Sequence, residues 1–245
     1  MNRRLTLSSV PFAGRTGREV RVAVVDSGIA AGHPHVAGLV GGISLLENGE
    51  DPSDYRDRLG HGTAVAGAIH EKAPDAELLA VRIFDRELKA SGDVLARAIR
   101  WAADQGVQLI NLSLGTPNEK RRELLSAALQ YAAERSAFVV AAAEHNGAPT
   151  YPGALDGAIG VVLDSSCARD ELVVLDAAAA CIRVAASGYP RPIPGVPVER
   201  NFSGLSFAVA NATGLLARLL EGGRRPASLL AITDQLTSEG SGVGR

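Results

Sequence analysis

The segment EVRVAVVD, residues 19–26, is the stretch from which the fold can be predicted. Three further runs of the same kind follow it, namely ELLAVRIF at 77–84, VQLINLSL at 107–114 and AFVVAAA at 137–143. Short runs rich in valine, isoleucine, leucine and alanine are typical of strands that are buried on both faces. We therefore predict that these four runs are central strands of one sheet.

Helical patterns separate the four strands. They read HGTAVAGAIHE at 61–71, DVLARAIRWAADQG at 93–106 and EKRRELLSAALQYAAERS at 119–136. Strands that alternate with helices form parallel sheets, because each crossover helix packs back onto a face of the sheet. The predicted fold class is α/β, three-layer, with a mostly parallel sheet and helices on both faces.

Beyond residue 150 the chain has shorter extended runs, a proline-rich loop and two more helix candidates. The runs are at 158–164, 171–176 and 181–186, the loop is at 189–197, and the helix candidates are at 206–220 and 226–236. None of these elements is long enough to form a second domain. We expect a single domain over residues 1–245, with a core at about 19–220 and a loose tail from about 237.

The composition argues against several classes of protein. The formal net charge is -2 and there is no long lysine or arginine block, so nucleic acid is not an expected partner. No apolar run approaches the length of a membrane span, so no membrane partner is expected either. Two cysteines, Cys167 and Cys181, are too few for a disulfide framework and lack metal-ligand spacing, so we expect both to be reduced.

Polar residues stand where the predicted sheet would bind a ligand, beyond the carboxyl ends of its strands. Asp26 ends the first strand, His61 begins the first helix, Ser206 is near the start of a later helix, and Asn111 lies inside an apolar strand. Taken singly, each has a structural explanation such as a cap or a turn. Taken together, a buried carboxylate, an imidazole and a serine at one sheet edge are the parts of an acyl-transfer triad.

Four motifs resemble, in order and spacing, those of the subtilisin-like serine peptidases, the subtilases. They are VVDSGI at 24–29, GHGTAVAG at 60–67, INLSLG at 110–115 and SGLSFAVANATG at 203–214. The order Asp, His, Ser separates subtilisins from chymotrypsins and from the α/β-hydrolases. The resemblance implies that Ser206 attacks the substrate carbonyl, that His61 takes and returns the proton, and that Asp26 orients the imidazole. It also implies that Ser113, Leu114 and Gly115 pair with the substrate backbone as an added strand.

The chain departs from the family pattern at AAAEHNG, residues 141–147, where relatives usually have AAAGNxG. By position, His145 replaces the asparagine that donates to the oxyanion, and a slightly shifted Asn146 is the other candidate. Loss of one such donor from a subtilisin lowers turnover by about two to three orders of magnitude. Two other interpretations stay open, a degraded oxyanion hole in a slow peptidase or pseudoenzyme, and a rearranged surface loop.

The same segment supplies the expected substrate pocket, formed by Ala142, Ala143 and Glu144. A glutamate in the pocket wall, with the acidic loop 47–57 nearby, would favour a basic residue before the scissile bond. The alternative is that the Glu144 side chain points to solvent.

Other departures concern metal binding and the residues beside the triad. Where many relatives have a calcium-binding aspartate, this chain has His35, and we expect no calcium there because calcium prefers several oxygen ligands. The pair His33 and His35 lacks the further ligands of a transition-metal site. Ala64 replaces a common histidine, and Leu205 and Ala210 replace a usual threonine and proline.

The function predicted from the sequence is a cofactor-free, metal-free serine endopeptidase that acts on a peptide or protein through Asp26, His61 and Ser206. The chain begins with Met1 about 19 residues before the Asp26 strand, with no signal peptide or prodomain visible. We therefore expect a cytoplasmic enzyme, for example one that processes a precursor peptide, unless a leader has been removed. The alternatives are a catalytically impaired subtilase fold that binds peptides or proteins, and a triad-dependent peptide ligase or macrocyclase. The sequence leaves the oligomeric state open.

Overall fold

The centre of the fold is a ten-stranded sheet, seen in a computed structural model that describes residues 5–8, 14–178, 181–197, 200–222 and 225–241. In chain order the strands are β1 (Leu5–Ser8), β2 (Arg21–Asp26), β3 (Leu39–Leu46), β4 (Gly49–Asp51), β5 (Glu77–Arg82), β6 (Leu109–Leu112), β7 (Phe138–Ala142), β8 (Glu144–His145), β9 (Ala148–Pro149), β10 (Ile159–Leu163), β11 (Glu171–Ala178) and β12 (Cys181–Ala186). Strands β8 and β9 form a separate two-stranded hairpin.

Five α-helices cover the sheet within the described residues. They are α1 (His61–Lys72), α2 (Gly92–Asp104), α3 (Arg122–Ala133), α4 (Leu205–Leu219) and α5 (Leu229–Ser241), and a turn of 3-10 helix at Glu119–Arg121 precedes α3. The order of strands across the sheet is β1-β11-β12-β10-β7-β6-β2-β5-β3-β4. The seven strands from β12 to β3 are mutually parallel, and antiparallel strands flank them at both edges.

Side chains of β2 show how the sheet divides the core into two layers. Val22 and Val24 belong to the apolar cluster that also contains residues of α1, α4 and α5. Ala23 and Val25 belong to the cluster that contains residues of α2 and α3. Successive side chains of a strand point to opposite faces, so an all-apolar strand can serve both layers at once. The predicted three-layer α/β architecture is confirmed.

The four strands and three helices predicted in the first 143 residues are present, with ends that differ by at most three residues. The helix predicted at 119–136 is divided into the 3-10 turn and α3. The last helix extends to Ser241, beyond the expected end at residue 236, so it includes the first part of the segment expected to be loose. The final four residues, 242–245, lie outside the described residues.

Two hairpins and the edge strand β1 were not predicted from the sequence. β3 and β4 form a hairpin at residues 39–51, and its second half lies in the segment interpreted as an acidic loop. β8 and β9 form the hairpin within the AAAEHNG segment and beyond it. Both hairpins lie near the carboxyl ends of the parallel strands, where the candidate site is found.

Candidate active site

Asp26, the last residue of β2, has a fully buried carboxylate. Its Oδ1 atom accepts a hydrogen bond from the backbone N–H of Ser27 at 2.7 Å and is 2.7 Å from His61 Nδ1. No hydrogen bond to its Oδ2 atom is found within the described residues. A buried carboxylate is stabilised only if donors approach it, and among the described side chains the His61 ring is the one that does so.

The backbone at Gly62 allows His61 to reach Asp26. A Cβ atom at position 62 would lie 2.2 Å from the Gly28 carbonyl oxygen and 3.2 Å from Asp26 Oδ1. Only glycine fits, because the first turn of α1 packs directly against the loop that follows β2. The Gly62 N–H also donates to Ser27 Oγ at 2.8 Å. The first turn of α1 therefore lies close to the loop after β2.

Asp57 organises the start of α1, and the sequence analysis did not identify it. Its Oδ1 atom accepts hydrogen bonds from Ser27 Oγ and from the N–H groups of Leu59 and Gly60, at 2.8 to 2.9 Å. Its Oδ2 atom accepts from the N–H and the hydroxyl of Thr63, at 2.8 and 2.6 Å. The carboxylate thus satisfies N–H groups at the helix start that otherwise lack partners.

The electrostatic surroundings of His61 favour its protonated form. Burial lowers the pKa of His61, but the hydrogen bond to Asp26 and the negative charges of Asp26 and Asp57 outweigh this, so its pKa is raised above 6.5. The same donors that surround Asp57 hold its own pKa below the usual range in spite of burial. An imidazole with a raised pKa is a stronger general base once it is deprotonated.

Ser206 is the second residue of α4, and its side chain is half-buried. Its hydroxyl donates to the carbonyl oxygen of Ser113, at 3.2 Å. Gly204, the residue before α4, has an extended backbone, and the N–H groups of the first helical turn are the positive end of the helix dipole. Ser206 therefore lies beside the segment Ser113–Gly115 and at a position that favours negative charge. This segment is called the substrate strand below, because the family resemblance implies that it pairs with the substrate backbone.

A buried polar network connects that strand with α4. Asn111 in β6 is fully buried, and its Nδ2 atom donates to Ser113 Oγ at 2.9 Å. Its Oδ1 atom accepts from the hydroxyl of Thr213, in α4, also at 2.9 Å. The polar residue that was conspicuous within an apolar strand thus has two partners. It links the strand that precedes Ser113 to the helix that carries Ser206.

One groove of about 710 Å³ brings most of the predicted site residues together. Of the site residues predicted from the sequence, eight line it: Asp26, His61, Ser113, Leu114, Gly115, Ala142, His145 and Ser206. Ala143, Glu144 and Asn146 are not among the lining residues. The groove volume lies within the range of about 300–1,000 Å³ that is usual for ligand pockets.

The β8–β9 hairpin explains this division. Asn146 and Gly147 connect the two strands, with φ angles of 52° and 77°. An Asn-Gly pair with positive φ at both residues forms the tight type I′ turn that suits a two-residue hairpin. Glu144 and His145 are both exposed, but side chains alternate along a strand, and only His145 lines the groove, while Asn146 lies at the tip.

Thr150 forms part of the groove wall and was not predicted. Its hydroxyl donates to the Ala142 carbonyl oxygen at 2.8 Å, and the residue is buried. A Cβ atom placed on Gly115 would lie 3.0 Å from Thr150 Cβ, so the substrate strand and this wall are in close contact. With its hydroxyl engaged, Thr150 leaves its methyl group as the surface available to a ligand.

Metal-ligating side chains do not cluster in the part of the chain that the structure describes. No group of three or more histidine, cysteine, aspartate or glutamate side chains with a suitable arrangement is found there. His33 and His35 have ring centroids 5.2 Å apart, and the His35 N–H donates to His33 Nδ1 at 3.3 Å.

Of the described helices, none combines the length and the apolar character needed to cross a membrane.

Comparisons with known proteins agree with this geometry. The subtilase family model matches residues 17–232. Thermitase from Thermoactinomyces vulgaris is 32% identical over 247 residues, which cover 93% of this chain and 84% of that protein. Subtilisin BL from Lederbergia lenta is 32% identical over 214 residues, or 82% of this chain and 73% of its own. Among solved structures, sphericase has a TM-score of 0.71 at 24% identity, covers 97% of this chain and 90% of its own, and supports the fold.

The family match extends over most of the chain, and two relatives exceed 30% identity over more than four fifths of it. Members of this family act on peptides or proteins, and the fold and the groove described above are consistent with that activity. The chain belongs to the subtilase family and is a serine-type endopeptidase.

Proposed function

We propose that the chain hydrolyses peptide bonds with Asp26, His61 and Ser206 as its catalytic triad. The observation that carries this proposal is the 2.7 Å contact between Asp26 Oδ1 and His61 Nδ1, in the groove that Ser206 also lines. The contact requires the proton of the neutral imidazole to be on Nδ1, which leaves Nε2 as the base. Asp26 stays ionised and stabilises the imidazolium that forms when His61 accepts the proton.

In the proposed reaction, the Ser206 side chain first rotates from the Ser113 carbonyl oxygen towards His61 Nε2. Oγ then attacks the scissile carbonyl carbon, and its proton passes to His61, which returns it to the leaving amine. Water enters, loses its proton to His61 and attacks the ester carbon. The C–Oγ bond breaks, and Oγ takes the proton back. Each negatively charged intermediate needs donors at its oxyanion.

His145 is the side chain that we propose as oxyanion donor, together with the backbone N–H of Ser206 at the start of α4. His145 lines the groove with Ser206, whereas Asn146 occupies the turn of the hairpin. Replacing His145 with Ala should lower kcat about 100-fold for a peptide ester, in line with the loss of one donor, and Asn146→Ala should change it less than about threefold. The reverse order of effects would assign the role to Asn146.

The proposed substrate is a peptide bound in extended form along Ser113–Gly115, with a small, uncharged side chain before the scissile bond. Ala142, Ala148 and the Thr150 methyl group supply apolar surface in the groove. The hypothesis of a basic residue at this position depended on Glu144, which is exposed and does not line the groove. Cleavage of a peptide library mainly after lysine or arginine would contradict the present proposal.

A fluorophosphonate probe tests the triad directly, because it reacts with a serine only when a base and an oxyanion hole activate it. The wild type should be labelled and Ser206→Ala should not. Ser203→Ala is a matched control, since Ser203 is an exposed serine only three residues away, and this variant should be labelled as the wild type is. Absence of labelling in the wild type would favour the alternative of a catalytically impaired fold that binds peptides or proteins.

A cytoplasmic location and a role in processing a precursor peptide stay part of the proposal. Two cysteines in 245 residues are too few for a disulfide framework, so the composition does not require an oxidising compartment. Fractionation of cells that produce the tagged chain would test the location. Recovery of the active enzyme only outside the cytoplasm would overturn it.

A further inference from the structure

A second cavity, of about 380 Å³, adjoins the catalytic groove. We name it the Phe207 pocket. Its principal lining residues are Ala64 and Gly67 from α1, Phe207 from α4, the loop segment 190–193, and Phe202. The volume is sufficient for a small ligand or a large side chain. No part of the proposed triad chemistry uses this cavity.

The pocket exists because two residues of α1 have little or no side chain. Ala64, which replaces the histidine common in the family motif, is exposed at the cavity wall. One turn later Gly67 contributes no side chain, and a Cβ atom there would be no closer than 3.6 Å to its nearest neighbour, His35. An imidazole at position 64 would project into the space that is now open. The open space at position 64 thus goes with a departure of this chain from the family motif, whereas Gly67 is shared with that motif.

The Phe207 pocket lies next to the catalytic centre. Phe207 directly follows Ser206, and its ring centroid is 6.2 Å from that of His61. Gly60, which directly precedes His61, also lines the pocket. His61 gives its proton to the leaving amine, so the residue that carries this amine must pass beside the His61 ring. The first side chains of the leaving peptide therefore meet the pocket.

The rim of the pocket exposes large apolar side chains. Phe202 is 76% exposed and Ile193 is 45% exposed. Apolar surface of this kind, adjacent to a cavity, is typical of a binding site and not of an ordinary protein surface. A large apolar side chain would cover both residues at once and fill the space beside Phe207.

We propose that the Phe207 pocket binds a large apolar side chain on the leaving-group side of the scissile bond. The same pocket then selects the amine in the reverse reaction, in which an amine attacks the acyl-enzyme and a peptide bond forms. When an amine replaces water, its nitrogen attacks the acyl carbon, the C–Oγ bond to Ser206 breaks, and His61 moves the amine proton to Oγ. The inference rests on the proposed triad, because an acyl-enzyme must form before an amine can be selected.

Partition of the acyl-enzyme between water and added amines tests the inference. The wild-type chain would be given acetyl-trialanine methyl ester with phenylalaninamide or glycinamide, and the amide and acid products would be measured by chromatography. Phenylalaninamide should intercept the acyl-enzyme at least about tenfold more efficiently than glycinamide, as for a side chain in an apolar pocket. Equal interception by the two amines would overturn the inference.

Two variants fill the pocket from the exposed position 64. Ala64→His restores the residue common in the family, and Ala64→Leu fills the space without a titratable group; both should reduce the preference for phenylalaninamide to about twofold or less. Ala127→Leu is the matched control, because Ala127 is an exposed alanine of α3, a helix that packs in the other apolar layer. It should leave the preference unchanged.

The possible results separate the two proposals. Ester turnover without selectivity between the amines, or selectivity that survives both substitutions at position 64, would overturn the pocket alone. Absence of ester turnover in the wild type would overturn the proposed triad function, and the amine selection with it.

Discussion

Replacement of Thr213 by valine tests the buried network that connects α4 with the substrate strand. The Thr213 hydroxyl lies 2.9 Å from Asn111 Oδ1 and 2.8 Å from the Val209 carbonyl oxygen, and the residue is fully buried. Valine has nearly the same shape as threonine, so the substitution removes the hydroxyl without creating a cavity. The effect should therefore come from the hydrogen bonds and not from packing.

The expected loss of stability can be estimated from the Asn111 amide oxygen, which stays buried when the Thr213 hydroxyl is removed. Without the hydroxyl, the fully buried Asn111 amide oxygen loses the partner at 2.9 Å. A buried polar group without a partner costs about 1–3 kcal/mol. For a chain of this size each kcal/mol corresponds to about 2–4 °C, so the melting temperature of Thr213→Val should fall by about 2–12 °C.

An effect on activity should accompany the loss of stability. Asn111 Nδ2 donates to Ser113 Oγ, and the Ser113 carbonyl oxygen accepts from Ser206. An Asn111 side chain that turns in search of a new acceptor would release this support of the substrate strand. Misplacement of reacting groups lowers the rate steeply, and we expect kcat for a peptide ester to fall about tenfold.

Differential scanning calorimetry would measure the melting temperatures. Ester kinetics would measure kcat at least about 20 °C below the melting temperature, so that the unfolded fraction stays small. Thr213→Ser is the control, because it keeps the hydroxyl, and its kcat should stay within about twofold of the wild type. A Thr213→Val enzyme that melts within about 1 °C of the wild type, with unchanged kcat, would refute the reasoning.

Two further predictions concern carboxylates with lowered pKa values. Asp57→Asn removes a negative charge that raises the pKa of His61, so the acidic limb of the profile of kcat/KM against pH should move to lower pH. An acidic limb that stays in place or moves to higher pH would contradict this. Glu221 accepts hydrogen bonds from the N–H groups of residues 16–18, and its pKa is lowered by these bonds although burial opposes them. Glu221→Gln should therefore lower the stability of the chain above the unfolded carboxyl pKa of about 4.3, and this loss of stability should disappear as the pH falls through the lower folded pKa. Thermal unfolding of the wild type and the variant at about pH 7 and about pH 3 measures the loss at each pH. An equal loss at the two pH values would exclude the carboxylate as its source.

The central strands could be predicted because they are buried on both faces, but β3 could not. Its sequence LVGGISLL contains two glycines, which usually argue against a strand interior. In the folded chain, a Cβ atom on Gly42 would lie 2.4 Å from the Ala80 carbonyl oxygen and 2.7 Å from the Tyr55 ring. Gly42 is therefore required by close contacts with β5 and with residue 55, and the sequence of β3 alone does not contain that information.

The triad candidates could be predicted because each stands at the end of a regular element in a distinctive order. Asp57 and Thr213 could not be predicted in the same way. Besides its local contacts at the start of α1, Asp57 accepts a hydrogen bond from Ser27, which is 30 residues away, and Thr213 contacts Asn111 across 102 residues. Contacts of this kind depend on the packing of elements that a single sequence does not locate relative to one another. The apolar surroundings of Asn111 were the only local signal that such a partner must exist.

The sequence motif alone does not decide whether His145 or Asn146 is the candidate donor to the oxyanion, although the sequence feature that distinguishes their positions is local. An Asn-Gly pair between two extended residues on either side favours a two-residue hairpin, and this geometry needs positive φ at both turn residues. Asn146 and Gly147 have that geometry, so His145 must be the last residue of β8. Because side chains alternate, a hairpin with a turn at these two residues directs either His145 or Glu144 to the groove, and never both. The burial of Ala142, the last residue of β7, and of Ala143 does not decide between them, because the groove lies on one side of β8 only. The turn chemistry therefore fixes the register of the hairpin, while the side of β8 that faces Ser206 follows from how the hairpin packs against Ser113–Gly115.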